Sequence, residues 1–312
     1  MSQSTLTTRT SIFLIIAVIV GAAIGYVSAL QTTASQIESL QNQITQLQSN
    51  QPSGNIVVKG SDTLLIVAQQ WAEEYMNRYS GVSISVAGGG SGVGIAALID
   101  GTTDIADASR EIKASEVASA KTNGIDPVEW VVGLDGISIV THPDNPLTEL
   151  TLEQLETIYN GTYTNWNQVG GNDATIITYG RQSTSGTYDF FREHVLHNKN
   201  YRADNRELAG NAEIVQSVQS DVNGIGYVGV AYTKQGVNIK ILKIKTSTTA
   251  PAYEPTVSNI ASGVYPIARK LYIYTNGIPT GTLDDYISFL LGPTGQQILE
   301  EVGYISFIKL AK

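Results

Sequence analysis

The 312 residues are 42% hydrophobic and 15% charged, enough for one large domain or two lobes and far from a disordered composition. A formal net charge of −9 argues against a nucleic-acid partner, which needs a basic footprint. With no cysteine, thiol catalysis, disulfides, zinc ribbons and lipid attachment through cysteine are excluded.

Ile12 to Leu30 is an almost unbroken apolar run preceded by Arg9 and by no acidic residue. Its length is close to the ~20 residues that span a bilayer as a helix. It reads as a signal anchor with Arg9 inside. Val27-Ser28-Ala29 is also an acceptable cleavage site, and either way the remainder lies outside the cytoplasm. Gln31 to Gly54 is a polar, glutamine-rich stalk. Ile37, Leu40, Ile44 and Leu47 trace a short a/d seam in it, and a solvated spacer is the plainer reading.

The folded part opens with a strand, Asn55 to Lys59, and a turn at Gly60-Ser61-Asp62-Thr63. A helix follows, with Leu64, Val67, Ala68, Trp71 and Tyr75 at 3.6-residue spacing and Ser61 placed to cap it. A second unit repeats this grammar: strand Val82 to Val86, turn Gly88 to Gly92, helix Val93 to Ile99. Gly101 to Arg110 reads as a strand ending in polar groups. Such alternation predicts an α/β fold with a parallel sheet. Val131 to Val140 is a strongly apolar strand, broken at Asp135-Gly136, that would carry the chain from one lobe to another. Thr151 to Gln154 has the spacing of a capping box before a helix to Tyr159. Later elements are a helix at Ala212 to Gln219, strands at Ile225 to Val230 and Leu271 to Tyr274, and helices at Asp284 to Leu291 and Pro293 to Val302.

The most informative stretch is Tyr179 to Tyr188. A β-branched run, Ala174 to Tyr179, leads into it and a helical stretch, Tyr188 to Leu196, leaves it. Arg181 and four hydroxyls fall within seven residues, with Gly186 allowing close backbone approach. The free N–H groups and positive dipole end of the new helix point the same way. Three turns, at Ser61, Ser91 and Ser185, share this design, and Arg110 and Arg181 sit at neighbouring strand ends. Tetrahedral oxyanions want such converging donors. No GxxxxGK[ST] is present, so a nucleotide P-loop is not indicated.

GSDTL, GGGSGVGIAALIDGTTDIADASR, LDGISIVTHPDNP, LEQLETIYNGTYTNWNQVGG, GRQSTSGTYDFFREHVL, GIGYVG and YPIARKLYIYT occur in this order. From Asn55 onward the chain resembles the substrate-binding protein of the phosphate ABC transporter. The resemblance implies a class II periplasmic-binding-protein fold, two α/β lobes joined by two crossing strands and closing on phosphate. It implies one lobe from residues 55–138 and 266–312 and the other from 139–265; the anchor at 1–30 and the stalk at 31–54 are read from the residues themselves.

Carried over by resemblance, the first anion turn falls on Ser61, Asp62 and Thr63, and the second on Ser91 and Gly92. The acidic strand end falls on Asp104, with Ser109 and Arg110 nearby. The arginine motif falls on Arg181, Ser183, Ser185, Gly186 and Thr187. Two departures stand out: Asp62 where many members have threonine, and Ser183 where many have an acidic residue. The family uses a carboxylate to accept the proton that phosphate carries and sulfate lacks. That acceptor is therefore expected at Asp62, or else at Asp104. Arg110 has the alternative of an ion pair with Glu111 or Asp107, and Asp135 is expected to shape the hinge.

The expected function is capture of inorganic phosphate outside the cytoplasm and delivery to an ABC permease. The alternatives are a receptor for sulfate, molybdate or tungstate, or a phosphate-sensing surface protein. A serine hydrolase using Ser91 or Ser185 is disfavoured, because Val93 breaks GxSxG. His194 and His197 lie three apart without a third ligand, so no metal and no cofactor are expected. The binding domain is expected to be monomeric.

Overall fold

The computed structural model describes residues 4–49, 51–233 and 238–307; for 4–19 and 44–49 it describes the backbone alone. The chain divides into two compact units, Met1–Gln51 and Pro52–Lys312.

The first unit is a single helix, α1 (Ser4–Ser49). It runs through the expected junction between anchor and stalk, because neither glycine nor proline occurs from Gln31 to Ser49. Among the described residues no helix is long and apolar enough to cross a membrane. The side chains of Ile12 to Ile19, the first part of the apolar run, lie outside the described set, as do Ile44 and Leu47 of the seam. Ile37 and Leu40 are exposed.

The second unit begins with three strand–helix repeats: β1 (Gly54–Gly60) and α2 (Leu65–Arg78), β2 (Val82–Ala87) and α3 (Ser91–Ile99), β3 (Ile105–Ala108) and α4 (Ala114–Thr122). A long strand, β4 (Pro127–Thr141), leads to β5 (Glu149–Thr151), α5 (Leu152–Tyr159), β6 (Ile177–Arg181), α6 (Gly186–His194), β7 (Arg206–Leu208), α7 (Asn211–Gln219) and β8 (Gly224–Gly229). Then come β9 (Lys240–Lys245), α8 (Val257–Ala261), β10 (Ala268–Asn276), α9 (Thr282–Leu291) and α10 (Pro293–Val302).

The described strands join in the order β2-β1-β3-β10-β4-β8-β6-β7, with β9 on β4 and β5 on β9. β1, β2 and β3 are parallel, as are β6, β7 and β8. β4 is not broken at Asp135-Gly136, contrary to expectation; there it changes partner instead. Pro127 to Gly136 pairs with β10, and Ile137 to Thr141 pairs with β8. A buried hydrophobic strand that gains a new neighbour keeps its ladder bonds satisfied without a break. At the changeover Arg269 of β10 stands opposite Asp135 of β4.

α2 shows how sequence becomes packing. Val67, Ala68, Trp71, Ala72 and Tyr75 are buried on one face, as the 3.6-residue period predicts. Each large side chain buried there contributes roughly 1.5–3 kcal/mol. Trp71 Nε1 also donates to the Gly295 carbonyl at 2.7 Å, tying α2 to α10. The expected cap is not where it was placed. α2 starts at Leu65 and its first turn takes no side-chain bond from Ser61. The Ser61 carbonyl instead accepts from Leu64 N at 3.0 Å, forming a separate turn before the helix. The capping box at Thr151 and Gln154 forms as predicted.

Candidate functional site

The turns that follow β1, β2, β3 and β6 all leave the carboxyl ends of parallel strands, where open α/β sheets place ligands. Gly60 has φ of 144°, and a Cβ there would lie 2.1 Å from the Asp107 carbonyl oxygen, so only glycine lets β1 run this close to β3. Ser61 N donates to that carbonyl at 2.9 Å. Gly90, at φ of 100°, opens α3, and Ser91 is its first residue. Ser91 Oγ accepts from Ser109 N at 3.0 Å and lies 3.3 Å from Ser109 Oγ.

The turn after β6 closes on this pair. Ser185 caps α6, its Oγ accepting from Thr187 N and Tyr188 N. A Cβ on Gly186 would lie 2.3 Å from Ser91 Oγ and 2.7 Å from Ser109 Oγ. Gly92 N donates to the Thr184 carbonyl at 3.0 Å. Two helix N-termini, those of α3 and α6, therefore meet face to face. Thr63 Oγ1 and Thr187 Oγ1 lie 3.0 Å apart alongside.

Two buried arginines are tied to these turns. Arg181 is 1% exposed; its Nε and Nη2 donate to the Ala209 carbonyl and its Nη2 to Asp62 Oδ2 at 2.5 Å. Its Nη1 has no partner, an orphaned donor on a buried cation. Burial pushes the Arg181 guanidinium's pKa down, and the Asp62 carboxylate pulls against that. Asp62 Oδ1 also accepts from Gly89 N at 2.8 Å, so this one side chain ties the turns after β1, β2 and β6 together. The second arginine is Arg269. Its Nε and Nη2 donate to Asp135 Oδ2 at 3.0 and 2.7 Å, its Nη1 to the Ser109 carbonyl at 3.0 Å. Its Nη2 also reaches Thr63 Oγ1 and Thr187 Oγ1 at 3.3 and 3.0 Å. Spacing alone did not pick out Arg269, although the YPIARKLYIYT motif contains it.

Three expected site residues lie elsewhere. Asp104 is exposed at the far end of β3, where its Oδ2 accepts from Val57 N at 2.8 Å in the middle of β1. The register that pairs Asp107 with Gly60 puts Asp104 about 10 Å upstream of the turns. The carboxylate at the right end of β3 is Asp107, which burial pushes up to about 8. Arg110 follows Ser109, but Glu116 holds its guanidinium through two bonds, at 2.8 and 2.7 Å, and Asp189 of α6 lies 2.9 Å from its Nε. These partners, rather than the Glu111 or Asp107 carboxylates, neutralise it. Ser183 is exposed on the outside of its turn. A cavity of about 430 Å³ opens beside the cluster, lined by Arg110, Lys113, Phe190, Arg269, Lys270 and Tyr272 among others. Among the described residues no group of three or more His, Cys, Asp or Glu side chains is placed to hold a metal.

A family model described as the PBP superfamily domain matches residues 45–294. The phosphate-binding protein PstS of Pseudomonas aeruginosa is 33% identical over 302 residues, covering 91% of this chain and 93% of that protein. The chain belongs to the PBP superfamily, in the PstS family. The PstS of Staphylococcus saprophyticus is 32% identical over 268 residues, 84% of this chain and 83% of that one. Among solved structures, a putative phosphate ABC transporter substrate-binding protein from Clostridium perfringens, with bound phosphate, aligns with a TM-score of 0.73 at 30% identity. The alignment covers 81% of this chain and 99% of that one. An ABC-type phosphate transport receptor from Vibrio cholerae aligns at 0.67 and 27% identity over 80% and 99%. The PstS family is one of binding proteins, so the serine-hydrolase reading of Ser91 and Ser185 falls.

Proposed function

We propose that this chain binds inorganic phosphate outside the cytoplasm and delivers it to an ABC permease. The observation that supports this best is the meeting of Ser91, Ser109 and Gly186, with Arg181, whose Nη1 has no partner, tied to the turns after β1 and β2 through Asp62. A tetrahedral oxyanion there takes N–H donors from the α3 and α6 N-termini, hydroxyl donors from Ser61, Ser91, Ser109, Ser185 and one of Thr63 and Thr187, and the free edge of Arg181. Asp62 is the acceptor for the phosphate proton. Its carboxylate reaches into the same ring of donors, and facing sulfate it would meet like charge without a compensating bond.

The ligand cleft lies between two lobes, residues 55–138 with 266–312 and residues 139–265. The partner change of β4 at Gly136 supports that division, since β4 there leaves β10 of one lobe for β8 of the other and forms a hinge across which the lobes close. The apolar run Ile12 to Leu30 within α1 anchors the chain to the cytoplasmic membrane.

Calorimetry on the full chain with phosphate, sulfate, molybdate and tungstate tests the reading. One tightly held phosphate and weak binding of the others is expected. Preference for a fully deprotonated anion, or no oxyanion bound at all, would overturn it.

A further inference from the structure

We infer that Arg269 is the positioning residue that couples closure of the two halves to capture of the anion, an inference that rests on the phosphate reading above. Arg269 belongs to β10, and its charge is held by Asp135, 0% exposed, on β4 next to the point where that strand changes partner. From that fixed base its Nη2 reaches one hydroxyl on each side. Thr63 follows β1 and Thr187 opens α6, and their oxygens are 3.0 Å apart. The guanidinium is held rigidly by Asp135, and one Nη2 N–H shared between two oxygens reaches both only while the two turns are together. Swinging α6 away from β1 would leave Arg269 with Asp135 and break at least one threonine bond.

The same contacts orient the hydroxyls. Nη2 has two N–H groups; with one held by Asp135 Oδ2, the other is shared between Thr63 Oγ1 and Thr187 Oγ1. Each threonine oxygen then turns its own proton away from the arginine: one of the two protons closes the Thr63–Thr187 bond and the other is left to donate to the anion. Nη1 meanwhile holds the Ser109 carbonyl and so fixes the third turn. Bonds present only in the closed form slow the release of ligand and leave its entry almost untouched.

The test uses the full chain and inorganic phosphate. Arg269→Lys keeps a cation beside Asp135 but lacks the fork. The paired variant Asp135→Leu/Arg269→Met removes the buried ion pair without leaving an unpaired charge, so it should fold. Because the chain has no cysteine, exposed Glu73 and Gln216 can each be changed to cysteine and spin-labelled to follow closure. Both Arg269 variants should release phosphate about tenfold faster, with association within about threefold of the parent. Their interlabel distances should broaden. A purely structural arginine would lower the melting temperature and leave release unchanged. Release within about twofold of the parent in the paired variant, with superimposable distances, overturns the inference while phosphate binding stands. If the parent binds no phosphate, the phosphate reading falls and the ligand-free distances decide: broadening in the variants supports the coupling, and identity overturns it.

Discussion

Asp62 Oδ2 and Arg181 Nη2 lie 2.5 Å apart although 119 residues separate them in the chain. The pair joins the turn after β1 to the end of β6, and one carboxylate serves both as partner of the buried arginine and as the proposed proton acceptor. Replacing Asp62 by Asn should weaken phosphate binding by on the order of 2 kcal/mol and narrow the preference over sulfate. Calorimetry with both anions checks this. Unchanged affinity and selectivity would remove Asp62 from the acceptor role.

Gly186→Ala places a methyl group 2.3 Å from Ser91 Oγ and 2.7 Å from Ser109 Oγ. Overpacking of this kind costs about 1–3 kcal/mol, and here it falls on the contact between α3 and α6. Phosphate affinity should drop by roughly ten- to a hundredfold, more than the loss in melting temperature implies. A variant that binds as tightly as the parent would show that the two turns do not enclose the ligand.

Asp104→Ala should lower stability by about 1 kcal/mol, because Val57 N loses its acceptor near the surface. Phosphate affinity should stay within about twofold of the parent. A large affinity loss without a matching stability loss would return Asp104 to the site.

Burial pushes Asp107 up to about 8. An acid whose folded pKa is raised binds its proton more tightly in the native state. Its contribution is therefore fully present below the unfolded value, near 4, and is lost as pH rises toward 8. Asp107→Asn should remove this dependence and stabilise the protein above pH 8, by an amount on the order of a few kcal/mol. Denaturant melts at several pH values would show it. Parallel stability profiles for parent and variant would mean that Asp107 is not held neutral.

Local features of the chain were legible before any contact was known. The Thr151 and Gln154 box, the buried face of α2 and the glycine turns each involve neighbours within a few residues, where steric limits and 3.6-residue spacing act directly. Features set by register were not. Asp104 and Asp107 are both carboxylates of one short segment, and only the pairing of Asp107 with Gly60 decides which stands near the turns. Arg110 looked like an anion ligand because its pairing depends on how the turn into α4 folds back to present Glu116, and on Asp189 of α6, far along the chain.

The sequence by itself determined that this is an α/β chain with glycine- and serine-rich turns suited to an oxyanion, since helix starts and tight turns obey local sterics. Only the tertiary structure decided which charges stand among those turns. Arg269 reaches Thr63 across 206 residues because two antiparallel strands bring it opposite Asp135, and no local rule carries information over that distance.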